Sequence, residues 1–169
     1  KATAMGGRQT RTDPLYGHIF DHFAVEYEYS DGRRVLSMCR QQDGTASKVG
    51  ESFQGSLGQS NAYDTIEGKN AWKHARLEGM NPYVEEHRDL VASIRAGKPL
   101  NEGRQIVESN LTAILGREAA YTGQSLTWDE LLASNLSILP TTFALGPLAT
   151  PAVPTPGETT LQRTFSEGW

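Results

Sequence analysis

"YGHIFDHFAVEYEYSDGRRVLSMCRQQ", residues 16–42, is the stretch whose reading decides the fold. Over 20–29 the residues alternate: Asp21, Phe23, Val25, Tyr27 and Tyr29 project to one face, and His22, Ala24, Glu26 and Glu28 to the other. That period of two marks a strand with one buried face. "SDGR", 30–33, follows with an Asp-Gly pair whose tolerance of positive φ suits a tight hairpin turn. The stretch 34–41 then returns antiparallel.

Outward from this hairpin, the opening "KATAM" is β-prone, and short strand candidates at 51–54, 58–63 and 64–67 are separated by glycines or polar turn residues. Beyond them the composition changes. In "NPYVEEHRDLVASIRAGKPL", Asn81 caps a helix, Pro82 fits its first position, and Glu85 and Glu86 sit near the positive end of the dipole. Tyr83, His87, Leu90, Val91 and Ile94 share one face, and Gly97 with Pro99 ends the helix. A second helix spans about 102–122, with Val107, Leu111, Ile114, Leu115 and Ala119 on its packing side and Gly123 as its stop. Gly116 in its middle costs about 1 kcal/mol relative to alanine, which points to close approach of another backbone. Thr127 and Glu130 form a capping box for a short last helix.

Strands first and helices later argue for an α+β fold: a mostly antiparallel open sheet with helices packed on one face, the other face being available for oligomerisation. The α+β domain spans 1–139. From 140 to 169 the chain is rich in Pro and Thr and reads as an extended tail, with Phe165 and Trp169 as the residues able to dock it.

The bulk numbers narrow the classes. A chain of 169 residues suits one ordinary domain. With a net charge of −4 and no dense Lys/Arg stripe, nucleic acid is excluded as the expected partner. No apolar run approaches the roughly 18 residues that cross a bilayer, so a soluble chain is expected, cytoplasmic or periplasmic. The single cysteine, Cys39, reads as a small buried apolar residue in a strand. The start at Lys1 reads as that of a fragment or a processed product.

"GGRQTRTDPLYGHIFDHFAVEYEYSDGRRVLSMCRQ" together with "NPYVEEHRDLVASIRAGKPLNEGRQIVESNLTAILGREAAYTGQSLTWDE" resembles the C-terminal domain of the glucose–fructose oxidoreductase / inositol dehydrogenase / rhizopine catabolism (Gfo/Idh/MocA) family, over about 1–137. The resemblance implies an N-terminal Rossmann domain upstream that binds NAD or NADP. It also implies homo-oligomers built through the sheet, and hydride transfer at a carbon bearing a sugar or polyol hydroxyl. The catalytic lysine motif and the Asp/His helix motif of the family would lie before Lys1. The chain alone is therefore expected to bind no cofactor and to supply substrate-pocket residues. "GSLGQS", 55–60, is the nearest approach to a phosphate-binding glycine turn, but no helix is expected after it.

The substrate-binding set is Arg8, Arg11, Tyr16, His18, Asp21, His22, Arg40 and Trp72, with no catalytic, cofactor or metal residue assigned. His18 and His22 stand four apart, the spacing of a metal pair on a helix, yet His22 belongs to the strand. Asp21 and His22 have the chemistry of a proton shuttle. As consecutive strand residues they point to opposite faces, so shaping a pocket or hydrogen bonding at the strand start is expected instead. Arg8 and Arg11 offer guanidinium forks for sugar hydroxyls or for a cofactor phosphate from the neighbouring domain, or Arg11 pairs with Asp13 in a solvated loop. Arg40 faces the pocket or pairs across strands with Glu26 or Glu28. Trp72 stacks on a sugar ring or covers an interface. His87 is read as a hydrogen-bonded packing histidine. The rival function is a non-catalytic assembly module using the exposed sheet face.

Overall fold

The computed structural model describes residues 1–75, 79–140, 143–146 and 149–162. The hairpin forms as its alternation requires: β2 (His22–Glu28) pairs antiparallel with β3 (Arg34–Arg40) on one side and with β1 (Ala2–Gly7) on the other, in the order β1-β2-β3. Between β2 and β3 the Gly32 N–H donates to the Tyr29 carbonyl at 3.0 Å, and Gly32 itself sits at φ 85°, a conformation that favours glycine. A second antiparallel sheet takes the order β4 (Phe53–Gly55), β5 (Gly58–Ser60), β6 (Thr65–Gly68) and β7 (Trp72–Lys73). The helices are α1 (Pro82–Arg95), α2 (Gly103–Thr122) and α3 (Trp128–Leu132). The fold is α+β, with the strands distributed over two sheets.

The chain divides into two compact units, one of residues 1–44 with the chain from Gly103 onward, the other of 45–102. In the first, α2 lies on one face of β1 and β2. Val25 and Ala2 from the sheet meet Leu115 and Ala119 from α2, with Leu126 and Leu131 closing the core and Phe23, Tyr27, Leu111 and Ile114 packed around it. Burying each aliphatic side chain of this kind is worth about 1.5–3 kcal/mol. The core ends partway along α2, however: Val107, expected on the packing side, is exposed. The exposed edge of β1 is partly covered by a two-way backbone pair, Ala2 N to Leu126 O at 2.8 Å and Leu126 N to Ala2 O at 2.9 Å. That pair delivers the chain to Thr127, whose capping box with Glu130 starts α3. On the opposite face of the sheet Met5, Leu36 and Met38 are exposed at 78, 70 and 78 %. Cys39, expected to be buried, is exposed as well, because β3 is the outer strand and α2 packs on β1 and β2.

The region 140–162 has no helix or strand where it is described, only a turn at 156–158 in which the Glu158 and Thr159 N–H groups donate to the Thr155 carbonyl, and it is tied back to this unit. Pro154 is buried, the Gly157 N–H donates to the Thr122 carbonyl at 2.9 Å, Leu161 packs on the core, and the Gln162 side chain accepts from the Asn135 N–H at 2.9 Å. Phe165 and Trp169 lie outside the described residues.

The second unit differs in kind. Asn81 caps α1 as the sequence predicts, accepting from the Tyr83 N–H at 3.0 Å. Yet none of the described residues in 45–102 is buried. The face of α1 expected to pack, with Tyr83, Leu90, Val91 and Ile94, is exposed. His87 keeps its hydrogen bond, to the Tyr83 carbonyl at 2.6 Å, but does not pack, its side chain being 73 % exposed. An amphipathic pattern records that a face needs cover; it does not say that the same chain provides it.

Gly116 is explained by a side chain rather than by the backbone expected. A Cβ there would overlap the Tyr27 hydroxyl and stand 2.9 Å from Tyr27 Cζ and 3.0 Å from Val25 Cγ1. We expect Gly116→Ala to destabilise the fold by about 1–2 kcal/mol, overpacking outweighing the gain in helix propensity. Adding Tyr27→Phe recovers part of the loss. Thermal unfolding by circular dichroism checks both, and a Gly116→Ala variant as stable as the parent would refute this packing.

Candidate functional site

Phe20 fixes the site. Its ring is buried against Tyr121, with centroids 4.7 Å apart in an edge-to-face arrangement, and Phe23 leans on the same pair. The next residue, Asp21, is thereby held at the mouth of β2, where its N–H donates to the Gly7 carbonyl at 2.9 Å and its carbonyl accepts from Gln41 N at 2.7 Å. Its side chain is 1 % exposed.

A buried carboxylate needs several donors, and the loop after β1 supplies them. Asp21 Oδ2 accepts three consecutive backbone N–H groups, Gln9 at 2.8 Å, Thr10 at 2.6 Å and Arg11 at 2.9 Å, with the Thr10 hydroxyl at 3.2 Å. Oδ1 faces His22 Nδ1 at 2.7 Å, and the Gln42 amide lies 3.4 Å away. Burial alone would push the Asp21 carboxyl up; the hydrogen bonds from the Arg11 N–H, the imidazole and the Thr10 and Gln9 N–H groups outweigh it and hold the group well below its ordinary value of 3.8.

Arg8 locks the same loop from outside. Its guanidinium donates to the carbonyls of Arg11 at 2.6 Å, Asp13 at 2.9 Å and Gly17. Arg11 does not pair with Asp13: it donates to the Gln41 carbonyl at 2.9 Å, reaches Asp43 at 3.1 Å, and lies over the Tyr16 ring, 5.0 Å from its centroid. Arg8 is thus engaged within the loop, and Arg11 ties the loop to the chain that follows β3. Tyr16 ends a single 3₁₀ turn capped by Asp13, and His18 is half-buried in the segment that follows. Arg40 is paired in register with His22 and is exposed on the outer face of β3; the arginine that bridges Glu26 and Glu28, at 2.9 and 3.5 Å, is Arg34. Trp72 belongs to the other unit, half-exposed on the short strand β7 with its ring 5.7 Å from that of His74.

The Asp21–His22 pair that strand alternation argues against is present. β1 stops at Gly7, opposite His22, so no strand residue stands beside Asp21 on that side and the two polar tips meet. Gly7 also makes room, since a Cβ there would stand 3.2 Å from His22 Cε1 and 3.4 Å from Nε2. Gln9, Thr10, Gln42 and Gly7 were missed by the sequence reading. The one signal available for them was an aspartate at a strand mouth beside a polar loop.

Among the described residues no group of three metal-ligating side chains comes together. "GSLGQS" closes the β4–β5 hairpin and runs into a strand, so these residues do not fit a dinucleotide pyrophosphate. No helix among the described residues is long and apolar enough to cross a membrane. Compared with protein-family models, with curated proteins and with solved structures, the chain matches none.

Asp21→Ala leaves the Gln9, Thr10 and Arg11 N–H groups and the imidazole without their buried acceptor, and we expect a loss of about 2–3 kcal/mol. Because the folded-state pKa is depressed, this stabilisation is complete above the unfolded value near 3.8 and is lost as pH falls toward the lower folded value. Urea unfolding between pH 6 and pH 2.5 should show a steep acid loss in the parent and a shallower one in Asp21→Asn. Parallel profiles would contradict the assignment.

Proposed function

We propose that this chain is the C-terminal substrate-binding and oligomerisation domain of an NAD(P)-dependent oxidoreductase acting on a sugar, polyol or glycoside, with the cofactor and the catalytic lysine held by an upstream Rossmann domain. The observation that carries the proposal is the polar end of the three-stranded sheet. There His22 is clamped by buried Asp21, stands half-exposed, and is paired in register with Arg40 on a face that no described element of its own unit covers. A sugar offers many hydroxyls, and a site for it needs fixed donors and acceptors of this kind on a rigid element. The sequence resemblance supplies the chemistry. A second unit without a buried residue among those described fits a piece built to be covered by another domain.

The rival reading, an assembly module without chemistry, is favoured by one feature: Met5, Ala24 and Met38 are aligned in register on the outer face of the sheet, with Leu36 beside them. In the leading reading the same strip is the face by which two copies meet, so the two readings separate on ligand binding rather than on mass.

Titration with NADH and NADPH, followed by nicotinamide fluorescence, tests the proposal. The chain alone should bind neither cofactor, and the same chain joined to its upstream domain should bind one. Micromolar binding by these 169 residues would overturn the assignment. Sedimentation should give a dimer that Met38→Asp weakens at least ten-fold, because a charge placed in an apolar interface must be desolvated.

A further inference from the structure

We propose that His22 is a preset hydrogen-bond acceptor for a ligand hydroxyl, its tautomer dictated by Asp21; this rests on the sugar or polyol reading above. The argument starts from donor bookkeeping. Asp21 is ionised and can only accept, so the 2.7 Å contact with His22 Nδ1 requires the proton on Nδ1. In the neutral ring that leaves Nε2 as a bare lone pair. Gln42 does not compete for Nδ1: its amide NH2 can only donate, and at 3.4 Å from Asp21 Oδ1 and 3.5 Å from Nδ1 it lies at the limit of a hydrogen bond to either, far behind the 2.7 Å contact between them.

Geometry then aims the lone pair. The ring lies over Gly7, which has no side chain to cover it, on the sheet face that also carries Arg40. The three backbone N–H groups on Oδ2 keep the carboxylate from rotating to follow the ring, so the ring is held and not merely paired. A histidine that served only as a strand-start hydrogen bond would need neither a buried counter-ion nor a glycine beneath its far edge. A hydroxyl of a sugar or polyol donates to such an acceptor.

The experiment is long-range 1H–15N correlation of the four histidine rings, at a pH where they are neutral, on the whole chain with and without added D-glucose or myo-inositol. The parent should show His22 as the Nδ1–H tautomer. Asp21→Asn should turn it to Nε2–H, because the amide oxygen keeps the backbone donors while the NH2 faces Nδ1. Polyol should shift Nε2 of His22 in the parent and bind at least ten-fold more weakly to Asp21→Asn. Gly7→Ala, which leaves Asp21 intact but crowds Cε1 and Nε2, should weaken binding too and serves if the asparagine variant loosens the loop. An Nε2–H tautomer in the parent overturns the inference. Polyol binding that leaves His22 unmoved overturns it while sparing the substrate reading; absence of any polyol binding overturns both.

Discussion

The buried carboxylate of Asp21 and the three backbone N–H groups of Gln9, Thr10 and Arg11 that point at it form the contact on which the site depends. An ion removed from water at this depth is tolerable only with such a set of donors, and their being consecutive in sequence means that one side chain shapes a whole loop. Arg8 closes that loop from the other side through three carbonyls, so its conformation is fixed from both ends of the hydrogen-bond polarity. The orientation of His22 is a consequence. So is the delivery of residues 12–19 to their turn and their return to β2.

The loop in turn depends on the core below it. Phe20 is held between Tyr121 and Phe23 at the C-terminal end of α2, and Val25 seats the strand on Leu115 and Ala119. Beside them Glu118 is fully buried, accepting from Arg117 Nε at 2.9 Å, while Arg117 Nη2 at 2.8 Å lies off hydrogen-bond alignment. The segment around Pro156 then closes over Gly123, where a side chain would stand 3.0 Å from Pro156 Cβ. Packing is thus concentrated in the C-terminal half of α2, with Ala120 and Tyr121 meeting Phe20 beneath the polar end of the sheet and Leu115 and Ala119 meeting Ala2, Leu126 and Leu131 beneath the rest.

What the sequence made legible was what short-range chemistry decides. Alternation named the buried face of β2, Asp31 and Gly32 named the turn, Asn81 with Pro82 opened α1, and Thr127 with Glu130 opened α3. What it hid were relations between segments distant in the chain. The apolar stripe of α1 was visible but its partner was not, Cys39 looked buried until β3 proved to be the outer strand, and Gly116 called for a neighbour that only the fold identifies as Tyr27. The Asp21–His22 pair was lost to a rule valid inside a sheet and not at its end. Alternation fixes where each Cβ points, but with β1 ending at Gly7 the polar tips are free to turn toward each other.

Amide hydrogen exchange at Gln9, Thr10 and Arg11 tests the central claim most directly, since loop N–H groups exchange freely unless something holds them. If Asp21 organises this loop, the three amides are protected to the level of the β2 strand in the parent and lose that protection together in Asp21→Ala. Exchange in the parent at the rate of an open loop would contradict the account.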